Sequence, residues 1–289
     1  MSSDIYYTSA DGLTLYARAY GRPDAPLTAL CMHGLTRNHK DFEPMIAQLG
    51  DRYRYISVDV RGRGQSDRAD DSALYNPLQY ADDMIALLNH LSLQRVVLIG
   101  TSMGGLMSML LMDKIPERIV GIVLNDIGPI PDQTGLKRIS EYATNIPVFD
   151  DWDAAAKKVA DTQSVAYQNY TEANWIEFAQ RTCRQREDGK IMPDYDPKIM
   201  DAFSLTSPDW KMRFGMWRLY GKLKSRPLLI LRGEHSDILT SRMANRMHKR
   251  HRDSRLVNIP ERGHAPMLDE PIAIDALATF LGRLEGMSA

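Results

Sequence analysis

The stretch VVLIGTSMGGLM, residues 96–107, interrupts an aliphatic run with Gly-Thr-Ser-Met-Gly-Gly and then resumes a Met- and Leu-rich pattern to about Lys114. Val96 to Gly100 reads as a buried strand, and the segment after Ser102 reads as a helix. The letters Gly100-Thr101-Ser102-Met103-Gly104 match G-x-S-x-G, a motif that carries chemistry when a strand precedes it and a helix follows, so that a sharp turn exposes the serine. Gly100 and Gly104 permit such a turn, and Gly105 lets the helix pack close to neighbouring strands. An incidental serine in a glycine-rich loop is the competing reading, and the flanking strand and helix weigh against it.

Outward from this stretch, short β-type runs alternate with helical ones up to about Asn125, which predicts a mostly parallel sheet flanked by helices, an α/β fold. The opening differs: IYYTS and LTLYARAY flank Asp11-Gly12 and predict an antiparallel hairpin at the sheet edge. Strands are expected at LTALCMH, YRYISVD, RVVLIG and RIVGIVLND, with helices from about Lys40 and over 77–91. From about Ile127 to Gly221 helical segments take over, among them WDAAAKKVADTQSVAY, EANWIEFAQRT and SPDWKMRFGMWRLY (207–220). The βα pattern returns with RPLLILRGE, a helix, SRLVNIP and a terminal helix. The expected organisation is a core of residues 1–127 and 222–289 with a helical cap inserted at 128–221. All four tryptophans, at 152, 175, 210 and 217, fall in that insert; with Phe178 and Phe214 they are expected to form mainly its own core, and partly an apolar pocket.

A serine hydroxyl is a weak nucleophile near neutral pH and needs a base, itself oriented by a third group. His264, in RGHAPMLDEP between the last strand and the last helix, lies where catalytic loops of a parallel sheet gather. His39, His90, His248 and His251 read as surface or helix-end residues, and His235 neighbours a candidate acid. That acid is Asp237, in LRGEHSDIL after the strand that follows the insert, or alternatively Asp126, after the strand that precedes it. Both precede His264 in the chain; Asp237 is preferred because its loop adjoins the strand leading toward His264. The backbone N–H groups of Met103 and of Leu35, after MHG, are the expected oxyanion donors, worth about 2.7 to 4 kcal/mol each. His33 reads as structural.

Five segments in order (MHGLTRN, DVRGRGQSD, GTSMGG, LRGEHSDIL and GHAPMLDEP) make the chain resemble the α/β-hydrolase superfamily over nearly its whole length. The resemblance implies attack by Ser102, proton transfer through His264, orientation of the imidazole by Asp237, and no metal or organic cofactor. It gives Asp59, Arg61 and Asp67 an architectural part in their loop. A serine at 102 sets the chain apart from relatives with an aspartate there. GTSMGG and LNDIGP before a helical insert are similar to enol-lactonases and aromatic meta-cleavage product hydrolases.

The expected activity is therefore hydrolysis of a small carboxylic ester or lactone. Carbon–carbon bond hydrolysis of ring-fission products is the alternative, and it would require a cation such as Arg37, Arg138 or Arg181 at the pocket. A receptor with slow turnover is the third reading. Lys and Arg number 36 against 37 Asp and Glu, so total charge points to neither nucleic acid nor a membrane as partner, and the expected partner is a small-molecule substrate. The basic run RMANRMHKRHRDSR (242–255) reads as a solvated helix face. No apolar run approaches the roughly 18 residues of a membrane span. MSSDIYYTSADG lacks an export signal, and Cys31 and Cys183 suggest neither a disulfide framework nor metal-ligand spacing; a cytoplasmic setting is expected.

Overall fold

Along the chain the elements are β1 (Ser2–Thr8), β2 (Thr14–Tyr20), β3 (Thr28–Met32), α1 (Glu43–Leu49), β4 (Arg54–Asp59), α2 (Pro77–His90), β5 (Val96–Thr101), α3 (Met103–Lys114) and β6 (Ile119–Asn125). The insert carries α4 (Gln133–Ala143), α5 (Trp152–Gln163), α6 (Glu172–Thr182), β7 (Cys183–Gln185), β8 (Ile191–Pro193) and α7 (Trp210–Lys222). It leads back to β9 (Leu228–Gly233), α8 (Ser241–Arg250), β10 (Ser254–Ile259) and α9 (Pro271–Gly286). The structure, a computed structural model, describes residues 2–144, 146–201 and 209–287; the first two residues of the helix expected over 207–220 lie outside them.

Eight strands pair in the order β1-β2-β4-β3-β5-β6-β9-β10. β1 and β2 form the expected edge hairpin, with Gly12 at φ 89° in its turn, and β2 runs antiparallel to β4. The other pairings are parallel. β5 explains why the sheet needs helices on both faces. Its side chains alternate, Val96 and Leu98 into one core and Val97 and Ile99 into the other, and all four are buried. Each buried aliphatic side chain stabilises the fold by about 1.5 to 3 kcal/mol, so neither face could be left in water without losing that contribution. α2, α3 and α8 cover the first face, and α1 and α9 the second.

The helix after β5 approaches the sheet more closely than any side chain would allow. A Cβ on Gly104 would sit 2.0 Å from the Met32 carbonyl oxygen of β3, and one on Gly100 would sit 2.4 Å from the Gly104 carbonyl oxygen. Close approach, rather than unusual dihedrals, is what these glycines supply. Gly105 does the same against Ile127, just past β6.

The loop after β4 is built as the resemblance implied. Asp59 accepts from the backbone N–H groups of His39 (2.7 Å) and Gln65 (2.9 Å) and pairs with the His39 ring (2.8 Å). Arg61, fully buried, is held between Asp83 and Asp11, and Asp67 accepts from the Thr14 N–H at 2.7 Å. His39 is thus a buried ring rather than a surface one, and His251 is also buried, its ring bonded to the Leu223 carbonyl.

Within the insert the hairpin β7–β8 had no sequence counterpart: its two strands have three residues each, too few for alternation to register. Trp152 and Trp175 pack on a small cluster with Ala155, Ala179 and Cys183, as expected of a local core. Phe178 packs with Tyr167 and Met267, and Trp217 lies against the sheet-side core. Trp210 and Phe214 are instead 72% and 69% exposed.

Two glycine substitutions should move stability in opposite directions. Gly104→Ala is expected to destabilise by about 1 to 3 kcal/mol, because a backbone carbonyl blocks the methyl group. Gly215→Ala, in α7 where a Cβ meets nothing within 4 Å, is expected to stabilise by about 1 kcal/mol. Urea-denaturation midpoints of the two variants check both signs.

Candidate active site

Ser102 forms the turn between β5 and α3 at φ 52° and ψ −112°. A non-glycine residue held there costs on the order of 1 to 3 kcal/mol, and the surroundings enforce it. Its N–H donates to the Asn125 carbonyl of β6 (2.9 Å), and its own carbonyl accepts from the Gly105 N–H (2.9 Å). The hydroxyl is thereby fixed at the mouth of the turn.

His264 comes from the loop after β10. Asn125 donates from Nδ2 to the Pro266 carbonyl (2.8 Å), the Tyr167 hydroxyl donates to the Ala265 carbonyl (2.7 Å), and the Gly263 N–H donates to Ala166 (2.8 Å). These bonds tie the loop to β6 on one side and to the insert on the other. His264 Nε2 then lies 2.9 Å from Ser102 Oγ, and its Nδ1 lies 2.9 Å from Asp126 Oδ2. A proton on Nδ1 donates to Asp126, which leaves Nε2 free to accept from the serine hydroxyl.

The acid that meets His264 is Asp126, and the preference for Asp237 is corrected here. Asp126 is fully buried at the end of β6, with φ 58°, and its second oxygen accepts from the Gly233 N–H at 2.9 Å. β6 lies beside β5 in the sheet, so the residue just past it stands next to Ser102. Asp237 lies four residues beyond the end of β9, on a turn drawn toward α4: its carbonyl accepts from the Gly135 N–H (3.1 Å), and the Ile238 carbonyl accepts from Asp132 (2.9 Å). Both its carboxylate oxygens are taken by Arg138, at 2.6 and 2.9 Å. Burial pushes the Asp237 carboxyl up, but the bonds and charge of Arg138, with a contribution from His264, hold it below the usual range. Its neighbour His235 is exposed.

Leu35 lines the pocket at Ser102, and a Cβ on Gly34 would lie 3.8 Å from Ser102 Cβ, so the loop after β3 faces the serine. Met103 is the first residue of α3, where backbone N–H groups have no partner within the helix. Behind both sits Arg63, a buried side chain that sequence reasoning did not single out. It donates from Nε to the Leu35 carbonyl (2.9 Å) and from Nη1 to the Arg61 carbonyl (2.7 Å) and the Tyr80 hydroxyl (3.0 Å), and it reaches Met103 Sδ at 3.8 Å. The second arginine of DVRGRG was the available signal. His33 is structural: its ring bonds the Gly34 carbonyl (2.6 Å) and accepts the Val60 N–H (3.1 Å), and burial pushes its pKa down to about 4.

A cavity of about 40 Å³ opens at Ser102 and His264, lined also by Ile139 and Met267. Through Thr36, Arg37, Tyr142 and Gln163 it shares walls with a groove of about 700 Å³ between α4, α5 and α6, a volume suited to a small organic ligand. Of the three candidate cations, Arg37 lines both spaces and Arg138 lines the groove, whereas Arg181 lines neither. The Arg37 guanidinium lies 3.0 Å from Asp41, 3.4 Å from the Tyr167 hydroxyl and 4.2 Å from the Phe178 ring centroid. Burial opposes its charge, and Asp41 with Tyr167 outweighs it, so the group stays protonated.

Comparison with known proteins agrees with this architecture. The family model for the alpha/beta hydrolase fold matches residues 30–271. A crystal structure of an alpha/beta hydrolase from Novosphingobium aromaticivorans is 41% identical, covers 99% of this chain and 98% of its own, and superposes with a TM-score of 0.89. The 3-hydroxybutyrate-oligomer hydrolase of Cupriavidus necator is 31% identical over 90% of both chains. The 2-(acetamidomethylene)succinate hydrolase of Mesorhizobium japonicum is 27% identical over 93% of this chain and 92% of its own. The chain belongs to the alpha/beta hydrolase family, and it is an enzyme of that family.

Proposed function

We propose that the protein hydrolyses a small carboxylic ester or lactone through an acyl-enzyme on Ser102. The observation that carries this reading is the unbroken chain of contacts from Ser102 Oγ to His264 to Asp126, each 2.9 Å. Ser102 Oγ bonds to the acyl carbon as its proton passes to His264 Nε2. The bond from that carbon to the leaving oxygen breaks, and the proton on Nε2 goes to that oxygen. Water then adds to the acyl carbon, giving its proton to Nε2; the bond to Oγ breaks, the proton returns to the serine, and the acid departs. Asp126 keeps the imidazole in the required tautomer, and the N–H groups of Leu35 and Met103 receive the oxyanion. In this reading residues 128–221 cap the core of 1–127 and 222–289, and the groove under α4 to α6 takes the substrate.

Arg37 supports a narrower view in which the substrate carries a carboxylate. An ester can carry such a group, the ring-fission substrates of carbon–carbon hydrolases do, and the name of the Mesorhizobium relative specifies a succinate derivative. It keeps the second reading, cleavage of a carbon–carbon bond beside a keto acid, within reach of the same site.

On chromogenic p-nitrophenyl esters, Ser102→Ala is expected to abolish turnover while leaving the melting temperature within a few degrees. Asp126→Asn is expected to lower kcat by about 10⁴-fold, because an amide nitrogen facing Nδ1 forces the wrong tautomer. Asp237→Asn should stay within about tenfold of the parent, since its partner is Arg138 and not the base. A larger loss in Asp237→Asn than in Asp126→Asn would reverse the assignment of the acid.

Arg37→Met is expected to raise KM about tenfold or more for the p-nitrophenyl monoester of glutarate, with little change for the neutral butyrate. Equal losses on the two esters would make Arg37 a structural residue only.

A further inference from the structure

Total charge hides a sharp asymmetry in this chain. Residues 210–226 hold six Lys and Arg and no Asp or Glu, and residues 241–255 hold six with the single acid Asp253. The two segments are neighbours in space. The Tyr220 hydroxyl of α7 donates to the Met247 carbonyl of α8 (2.9 Å), the His251 ring bonds the Leu223 carbonyl (3.0 Å), and Arg246 and Arg250 lie 4.5 and 4.7 Å from the Trp217 ring centroid. Eleven of these twelve cations thus lie on or beside α7 and α8 in a protein whose formal net charge is −1, while Arg255 turns to the α9 side of β10. Among the described residues only Lys222 and Arg255 of the twelve meet a carboxylate, at Asp113 and Asp275, while Asp253 is taken by Arg283.

Bare aromatic side chains stand within this face. Trp210, Phe214 and Trp217 are spaced i, i+4, i+7 along one side of α7, with Lys211 and Arg213 between them. Trp217 is sheltered by the two arginines, while Trp210, Phe214 and nearby Met212 are 72%, 69% and 60% exposed. A cation-rich helix presenting exposed tryptophan and phenylalanine has the composition of an interfacial helix, its rings at the acyl boundary and its cations among headgroup phosphates.

We propose that the α7–α8 face docks on an anionic phospholipid surface, with Trp210 and Phe214 entering the interface. Charge decides the occupant. A second copy of this chain meeting the same face across a two-fold axis would cover the aromatics but bring like charges together, which costs affinity. An anionic bilayer satisfies cations and aromatics together. Among the described residues no helix is long and apolar enough to cross a membrane, so the contact proposed is one of surface attachment. The proposal departs from the expectation of no membrane partner, which rested on total charge, on the lack of a long apolar run and on reading 242–255 as a solvated helix face.

The test uses the full chain and vesicles of phosphatidylcholine, alone and mixed with phosphatidylglycerol, read by co-sedimentation and by tryptophan fluorescence. The expected result is binding to the mixed vesicles at low salt, loss of binding at high salt, and a blue shift on binding. Lys211→Glu and Arg213→Glu should each weaken partition by about fivefold or more. The double variant Trp210→Ala/Phe214→Ala should also weaken it, with melting temperature and hydrolysis of a soluble ester unchanged. No binding to anionic vesicles at low salt would overturn the proposal, as would equal binding to neutral vesicles or indifference to the aromatic pair. A dimer that dissociates in the Trp210→Ala/Phe214→Ala variant would assign the face to a second copy. Tighter binding to a single-stranded polynucleotide, unaffected by that variant, would assign it to nucleic acid.

Discussion

The carboxylate of Asp126 joins three pieces of chain that are far apart in sequence. One oxygen accepts from the Gly233 N–H at the end of β9, and the other holds His264, whose remaining nitrogen meets Ser102 after β5. The group is fully buried, so each oxygen needs a donor, and losing either partner would leave an unsatisfied charge at a cost of several kcal/mol. The register of β6 against β5 and β9 is therefore coupled to the geometry of the site. Asn125 strengthens the coupling, since its carbonyl receives the Ser102 N–H and its side chain holds the histidine loop.

A second constraint is steric. α3 can begin directly above β3 only because Gly104 has no side chain, and that placement lifts Ser102 out of the sheet into an uncommon backbone conformation. The loop that faces it is braced from behind by Arg63, which touches both Leu35 and Met103. Packing of glycine on carbonyl and of arginine on loop carbonyls thus places the polar groups, and the hydrophobic cores on the two faces of the sheet keep them there.

What was legible in the sequence was local. The strand, turn and helix around Ser102 are written in twelve consecutive residues, and the edge hairpin in Asp11-Gly12. His264 was legible because its loop sits between a clear strand and a clear helix. The acid was not, because Asp126 and Asp237 both precede His264 and both follow a strand. Only the sheet order, which places β6 between β5 and β9, separates them, and chain order does not encode it. Burial of His39 was hidden for a similar reason: its partner Asp59 stands at the end of β4, twenty residues further along the chain. The β7–β8 hairpin was too short for a periodicity, and the exposure of Trp210 and Phe214 depends on which helices pack beside α7, which composition does not reveal.

Everything proposed for this site depends on acylation of Ser102. Acid-quenching the enzyme during turnover of a p-nitrophenyl ester, followed by intact-mass and peptide mass spectrometry, tests it directly. The expected result is an added acyl mass on the peptide that carries Ser102, formed on the time scale of turnover and missing from Ser102→Ala. Steady turnover with no such adduct, or with the acyl group on another side chain, would contradict it.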